Sequence, residues 1–257
     1  NALGAKQANY VSVIVMNPKN GEIMAMVNAP EFDLNNPYSL TEEFSNDTSG
    51  KSKQDLLNNM WRNQCINDTY EPGSTFKIVT ATAALSENLV SLDSTFNCPG
   101  FVVVDDRRIR CHKTTGHGSQ DFVHGTMNSC NPVFVNVGLR VGVKKFYNYM
   151  DKLGLLKTTG IDLPGEAGTI IHKQKNVGNV ELATMSFGQS FQITPVQFLT
   201  AASAIVNGGN LVTPHFGVEI RNENNETVKK LKYNELRKNA KIIYFREERG
   251  NAAKDSI

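Results

Sequence analysis

Three features of the sequence predict an α+β fold: two β-branched apolar runs near the N-terminus, an unbroken helix-forming stretch from Ser74, and a late segment carrying both helix-end signals. Strands come first and helices fill the middle. The first run, VSVIVM (Val11 to Met16), and the second, EIMAMVN (Glu22 to Asn28), flank a turn-rich insert from Asn17 to Gly21, so they read as a hairpin on a core sheet. Residues 32 to 68 are rich in Asn, Ser, Asp and Lys, which predicts an exposed excursion with helix around Lys53 to Met60 and little chemistry.

From Ser74, FKIVTATAALSE contains no internal Gly or Pro, and Glu71, Pro72 and Gly73 make a sharp entry, so a buried helix is expected to begin at Ser74. FVVV and RRIRC then flank Asp105 and Asp106, a two-residue hairpin turn. Residues 121 to 140 and 144 to 154 read as helices, the second ending at Gly154. Thr194 as N-cap, Pro195 at the first helical position and Gly208 past the end mark a further helix. Beyond Gly217 the chain turns charged, with one more strand expected in KIIYF (Lys241 to Phe245).

A chain of 257 residues, 40% hydrophobic and 20% charged, holds one large core or a core plus a lobe, and it excludes fibrous, low-complexity and wholly disordered classes. The formal charge of +2 gives no reason to expect a nucleic-acid partner. No apolar run is long enough to span a membrane, and NALGAKQANY lacks the regions of a signal peptide. The start at Asn1 leaves room for an anchor upstream. Four cysteines are too few for a disulfide scaffold, so any bridge or metal here is local.

The chemistry gathers at Ser74 and Lys77. Their SxxK spacing puts hydroxyl and amine on one helix face, one turn apart, where a lysine freed of its proton by burial can activate the serine. Alone the tetrad is common, because a capping Ser with a solvated Lys satisfies it. Ser129, Cys130 and Asn131 supply a second motif, SxN, followed by Pro132 in an apolar stretch.

Together these motifs resemble the serine penicillin-recognising enzymes. The resemblance extends through YEPGSTFKIVTATAALSE, CPG, GHG, SCNPVFVNVG, GIDLPGE and MSFGQSFQITPVQFLTAASAIVNGG to the transpeptidase domain of class B penicillin-binding proteins, over roughly residues 8 to 216. Within that class the sequence is similar to the septal and sporulation branch. The fold this implies is serine β-lactamase-like, an antiparallel sheet flanked by helices with an all-helical lobe. Residues 1–257 would form one transpeptidase domain, with a membrane anchor and pedestal upstream.

The implied activity is peptidoglycan D,D-transpeptidation in septal or spore cell-wall synthesis. Ser74 would be acylated by a stem peptide ending in D-Ala-D-Ala, or by a β-lactam, and Lys77 would take its proton. Ser129 would relay a proton to the leaving amine, and Asn131 would hold the substrate amide. The resemblance also implies a membrane glycosyltransferase partner, a location on the outer face of the cell membrane, and no cofactor for the chemistry. The alternatives are a D,D-carboxypeptidase or β-lactamase, or a non-catalytic penicillin-binding scaffold or sensor.

One departure stands out. The family's Lys-Thr-Gly motif belongs on an edge strand after Gly209, where it supplies a second oxyanion donor beside the Ser74 N–H, and it is absent there. KTTG at Lys113 to Gly116 and at Lys157 to Gly160 comes too early and has an extra residue. Either the chain continues beyond this segment or the protein is a divergent homologue; the sheet would also lack strands, which favours the first.

Beside the serine a second cluster is expected. If Asp105 and Asp106 turn the hairpin, Cys98 falls opposite Lys113, one diagonal step from Cys111, with His112 and His117 close in sequence. Two thiols and one or two imidazoles suit structural Zn²⁺, held by Cys98, Cys111 and His117 with His112 or Asp105 as fourth ligand. A Cys98–Cys111 disulfide or free thiols is the favoured alternative in an extracytoplasmic protein. Cys130 reads as a small buried residue. Cys65 and Trp61 read as packing residues, and His124, His172 and His215 show no partner. Glu166 could serve a β-lactamase only by activating a water, and its segment reads as structural.

Overall fold

The computed structural model describes residues 5, 6, 8–233 and 235–237. Strands β1 (Val11–Met16) and β2 (Ile23–Ala29) form the expected antiparallel hairpin. Alternation sorts the pair into two faces. Ile14, Met16 and Met26 point inward onto a small core of Ile23, Cys65, Ile66, Ile161 and Val196. Val13, Val15 and Val27 point outward and are 45–49% exposed.

The excursion carries helix α1 (Lys53–Met60), with Ser52 Oγ accepting the Asp55 N–H as N-cap, and short helical turns at Glu42–Ser45 and Gln64–Asn67. The helix expected to start at Ser74 starts later. Gly73–Phe76 is a 3-10 turn, and helix α2 begins at Lys77 and runs to Ser86. The tighter turn follows from Gly73, whose φ of 56° bends the chain just before the serine.

The FVVV/RRIRC hairpin forms as β4 (Phe101–Val104) and β5 (Arg107–Arg110), closed by Asp105 at a φ of 50°. Cys98, however, is not in register with Lys113. It ends strand β3 (Thr95–Cys98), which pairs with β6 (Gly118–Asp121) so that Cys98 faces Gly118. Pro99 and Gly100 break the strand that the sequence reading ran continuously through Cys98, and β4 pairs locally instead.

Residues 121 to 140 are also not one helix. Helix α3 (Phe122–Met127) stops before Ser129, which sits at a φ of 47°, and helix α4 (Asn131–Lys152) restarts from Cys130 as N-cap. A non-glycine residue in left-handed backbone marks a constrained site. Helix α4 then absorbs the expected second helix across a kink at Gly142. Helix α5 (Asn179–Met185) and helix α6 (Pro195–Val206) follow; α6 has the expected cap, Thr194 Oγ1 accepting the Gln197 N–H at 3.2 Å.

The large core lies where α2 packs on α4, around Phe76, Phe134, Phe146 and Met150, with Phe191 edge-on to Phe76 at 4.8 Å between centroids. After α6 the chain returns along β2: the Ile23 N–H donates to His215 O at 2.8 Å and the His215 N–H to Gly21 O at 2.9 Å. Strands Glu219–Arg221 and Thr227–Lys230 form a hairpin that the charged sequence did not advertise. The strand expected at Lys241 to Phe245 lies outside the described residues. No helix among the described residues is long and apolar enough to cross a membrane.

Candidate active site

Four oxygens of three residues converge on one nitrogen. Lys77, at the first position of α2, is 4% exposed, and its Nζ lies 3.1 Å from Ser74 Oγ, 3.0 Å from Ser129 Oγ, 2.8 Å from Asn131 Oδ1 and 2.7 Å from Ser129 O. The 3-10 turn delivers Ser74 at the helix entrance, and the left-handed Ser129 folds the SxN segment back over the amine. Burial pushes the Lys77 ammonium down to about 8, against the opposing pull of the Cys111 and Cys130 thiols. Near neutrality a useful fraction of this amine is free to accept a proton.

The cleft beside Ser74, about 290 Å³, is lined by Gly73, Ile109, Arg110, Asn131, Phe187 and Gln189. Asn131 Nδ2 donates to Arg110 O at 3.2 Å, which fixes the carboxamide against β5 while its oxygen faces Lys77. Behind Ser74, the Gly73 N–H donates to Gly188 O at 2.9 Å, and a Cβ on Gly188 would lie 2.1 Å from Gly73 O. Glu71 Oε1 accepts the Ser190 N–H at 2.8 Å and ties the same two segments together. The sequence reading missed Gly188 and Glu71; the adjacency of FGQS to EPGS is a tertiary fact without a spacing signal. Neither KTTG segment lines the cleft.

Directly under the SxN segment sits the sulfur cluster. Cys98, Cys111, His117 and Cys130 place one ligand atom each within 4.8 Å of one another. His117 Nδ1 is 3.6 Å from both Cys98 Sγ and Cys111 Sγ. A tetrahedron with Zn–S near 2.3 Å and Zn–N near 2.1 Å has edges of about 3.6 Å between sulfur and nitrogen, which the two His117 distances match.

Three of the four residues that the sequence put forward for a metal lie in this group, and His112, the fourth, does not. His112 Nδ1 is 3.9 Å from Cys111 Sγ, but His112 is exposed and stands outside the group; Asp105, at the hairpin tip, accepts from Asn179 Nδ2 at 3.2 Å. Cys130, read as a packing residue, has its sulfur in the group instead, following the break in the helix at Ser129. All four cysteines are free thiols, with no Cys98–Cys111 bridge. Burial raises the Cys98 thiol, yet hydrogen bonds from the His117 and Gly100 N–H groups outweigh it and hold the group below its usual range. Burial pushes Cys130 up to about 12.

The remaining candidates are structural. Glu166 accepts the Thr159 N–H at 2.6 Å and the Gly160 N–H at 3.1 Å, so both carboxylate oxygens are engaged in holding a loop. His124 Nδ1 pairs with Asp121 at 2.8 Å, and His215 stacks on Tyr233 at 3.8 Å between centroids. The His172 carbonyl accepts from the Tyr147 hydroxyl at 2.6 Å. Cys65 is fully buried, whereas Trp61 is only half-buried.

Comparison with known proteins gives the family. The penicillin-binding protein transpeptidase domain matches residues 11–244. Stage V sporulation protein D of Bacillus subtilis is 43% identical over 219 residues, 84% of this chain and 32% of that protein. The peptidoglycan D,D-transpeptidase MrdA of Haemophilus influenzae is 30% identical over 218 residues, 79% of this chain and 32% of that protein. Penicillin-binding protein 3 of Mycobacterium tuberculosis, solved in complex with aztreonam, superposes with a TM-score of 0.76 at 24% identity, over 91% of this chain and 49% of that one. The chain thus spans about a third of the length of the curated relatives it matches.

Proposed function

The chain belongs to the transpeptidase domain family of penicillin-binding proteins, and from that premise we propose that it is the catalytic domain of a peptidoglycan D,D-transpeptidase acting in septal or spore wall synthesis. The observation that carries the reading is the buried Lys77 amine held within 3.1 Å of Ser74 Oγ and 3.0 Å of Ser129 Oγ.

In the proposed reaction Ser74 Oγ attacks the penultimate D-Ala carbonyl of a stem peptide while neutral Lys77 accepts its proton. The Ser74 N–H stabilises the tetrahedral oxyanion; the Lys-Thr-Gly motif that supplies a second N–H in the family does not occur after Gly209 in this sequence. Ser129 passes a proton to the amide nitrogen of the terminal D-Ala, the carbon–nitrogen bond breaks, and the acyl group remains on Ser74. Asn131 Nδ2 and Oδ1 orient the donor peptide. An amine from a second stem peptide then attacks the ester, forms the cross-link and returns the proton to Ser74 through Lys77. A β-lactam enters by the same first step, its ring nitrogen being the leaving group. The chemistry uses no cofactor.

The test is transfer on the full-length polypeptide carrying this chain, supplied with a D-Ala-D-Ala pentapeptide donor and an amine acceptor. The reading expects D-Ala release and an amide-linked dimer that both vanish in Ser74→Ala. Release without dimer, with water as sole acceptor, would contradict transpeptidation.

The sulfur cluster we read as a structural Zn²⁺ site of Cys98, Cys111, Cys130 and His117. A bound ion would supply a tie between the β3–β6 pair, the segment after β5 and the SxN segment, holding Ser129 and Asn131 on either side of Cys130. Metal analysis of protein purified without chelator should give about one zinc per chain, lost in Cys130→Ala. A zinc-free protein carrying a Cys98–Cys111 bridge would overturn it. The domain would be anchored to the outer face of the cell membrane by a segment outside this chain and would work beside a membrane glycosyltransferase. Co-purification of the full-length protein from membranes with a glycosyltransferase tests both; a full-length protein that stays in the aqueous fraction would refute the anchor.

A further inference from the structure

The excursion between β2 and the Ser74 turn, which reads in sequence as chemically bland, encloses a groove of about 720 Å³. That volume is in the range of small-ligand sites, about 300–1,000 Å³. The groove shares no lining residue with the cleft at Ser74.

One wall is aromatic. Trp61 is half-buried and held rigidly, its Nε1 donating to Pro37 O at 2.7 Å and its ring met edge-on by Tyr38 at 5.6 Å between centroids. Phe32 and Tyr10 line the same groove, Tyr10 52% exposed. Trp61 and Phe32 are half-buried, so each keeps part of its ring accessible from the groove.

The facing wall is made of carboxamides. Ser12 Oγ donates to Asn28 Oδ1 at 2.8 Å, and Asn28 Nδ2 donates to Asn63 Oδ1 at 2.9 Å, so the deeper pair is locked by hydrogen bonds. The outer pair is not. The Asn59 carboxamide at the exposed end of α1 and the Gln64 Nε2 have no hydrogen-bond partner among the described residues, and both line the groove. They offer donors and an acceptor of neutral charge.

Charge in the groove cancels: Glu31 and Asp68 offset Lys51 and Arg62, and Arg62 is already paired with Asp68. Such a site selects neither an anion nor a cation. A flat apolar ring beside unpaired amides is complementary to a neutral pyranose, whose C–H face packs on indole and whose hydroxyl and acetamido groups meet the amides.

We propose that this groove binds a neutral N-acetylated amino-sugar oligosaccharide. The preference for acetamido sugars over other saccharides rests on the transpeptidase reading, because the stem peptides of that reaction are carried on such a glycan. A strand seated here would hold its own stem peptides near the chain that leads from Gln64 to Ser74.

Trp61 is the only tryptophan in the chain, so its emission reports the groove directly. The experiment is a fluorescence titration of the protein with chitotetraose, with cellotetraose as a control of equal length lacking acetamido groups. The expected result is a saturable change with chitotetraose alone, weakened about fivefold in Asn59→Ala, as the loss of one net hydrogen bond predicts. Asn59 is exposed, so its truncation leaves the fold intact; Tyr10→Ala, also at the surface, provides a second weakened variant. No change up to about 10 mM sugar, weaker than any useful subsite, would overturn the proposal. An equal response to both sugars would overturn the acetamido assignment, and a response unaffected by both variants would place binding elsewhere. Because the readout does not involve Ser74, Ser74→Ala should titrate like the parent, so failure here and failure of the acyl-enzyme chemistry are read separately.

Discussion

Lys77 combines burial with four oxygen neighbours, and the burial lowers its pKa to about 8. The neutral amine is the base, so acylation of Ser74 should accelerate as pH rises through about 8 and level off above it; stopped-flow or quenched acylation rates with a β-lactam give the profile. A flat profile between pH 6 and 9 would mean that another group takes the proton. Lys77→Arg keeps the charge but removes the base, because a guanidinium does not lose its proton in this range. Acylation should fall by about 10²–10⁴-fold while the protein stays folded. At this scale the sequence was most informative. Ser74, Lys77, Ser129 and Asn131 occupy fixed short spacings, and the structure brings all four together. Cys130 was not legible as a cluster member, since its direction depends on the left-handed turn at Ser129, a conformation that no residue type there announces.

The elements that carry these residues meet at backbone contacts too close for side chains. Gly188 has a φ of 84°, and its Cα faces the Gly73 carbonyl so tightly that only glycine fits. Gly188→Ala should push back the 3-10 turn that holds Ser74. It should cost about 1–3 kcal/mol of stability and slow acylation more than the thermal loss alone explains. Differential scanning calorimetry and acylation rates measured together check this; an unchanged midpoint and rate would show that the turn does not depend on this contact. Hairpin β1–β2, helix α1 and helix α6 were readable because periodicity and cap residues are local. The helix starts around Ser74 and Ser129 were displaced because their boundaries are set by docking against Gly188 and against the Cys/His cluster, not by propensity.

Across the whole molecule, two cores position one cleft: the larger holds α2 against α4, and the smaller lies beneath the β1–β2 hairpin. The outward face of that hairpin, with Val13, Val15 and Val27 open, is an apolar surface on a sheet that has two strands among the described residues. The chain covers about a third of its relatives' length. Zinc, if bound as proposed, links the strands of the cluster to α4. Removing it with a strong chelator should therefore lower the thermal midpoint of the parent and leave Cys130→Ala unchanged; equal effects on both would place the metal elsewhere. The central claim is that Ser74 is a nucleophile activated by Lys77, and intact mass after incubation with benzylpenicillin tests it most directly, with peptide mapping of the adduct. The prediction is one penicilloyl group per chain on Ser74, absent in Ser74→Ala. A folded protein without adduct, or an adduct on any other residue, would contradict it.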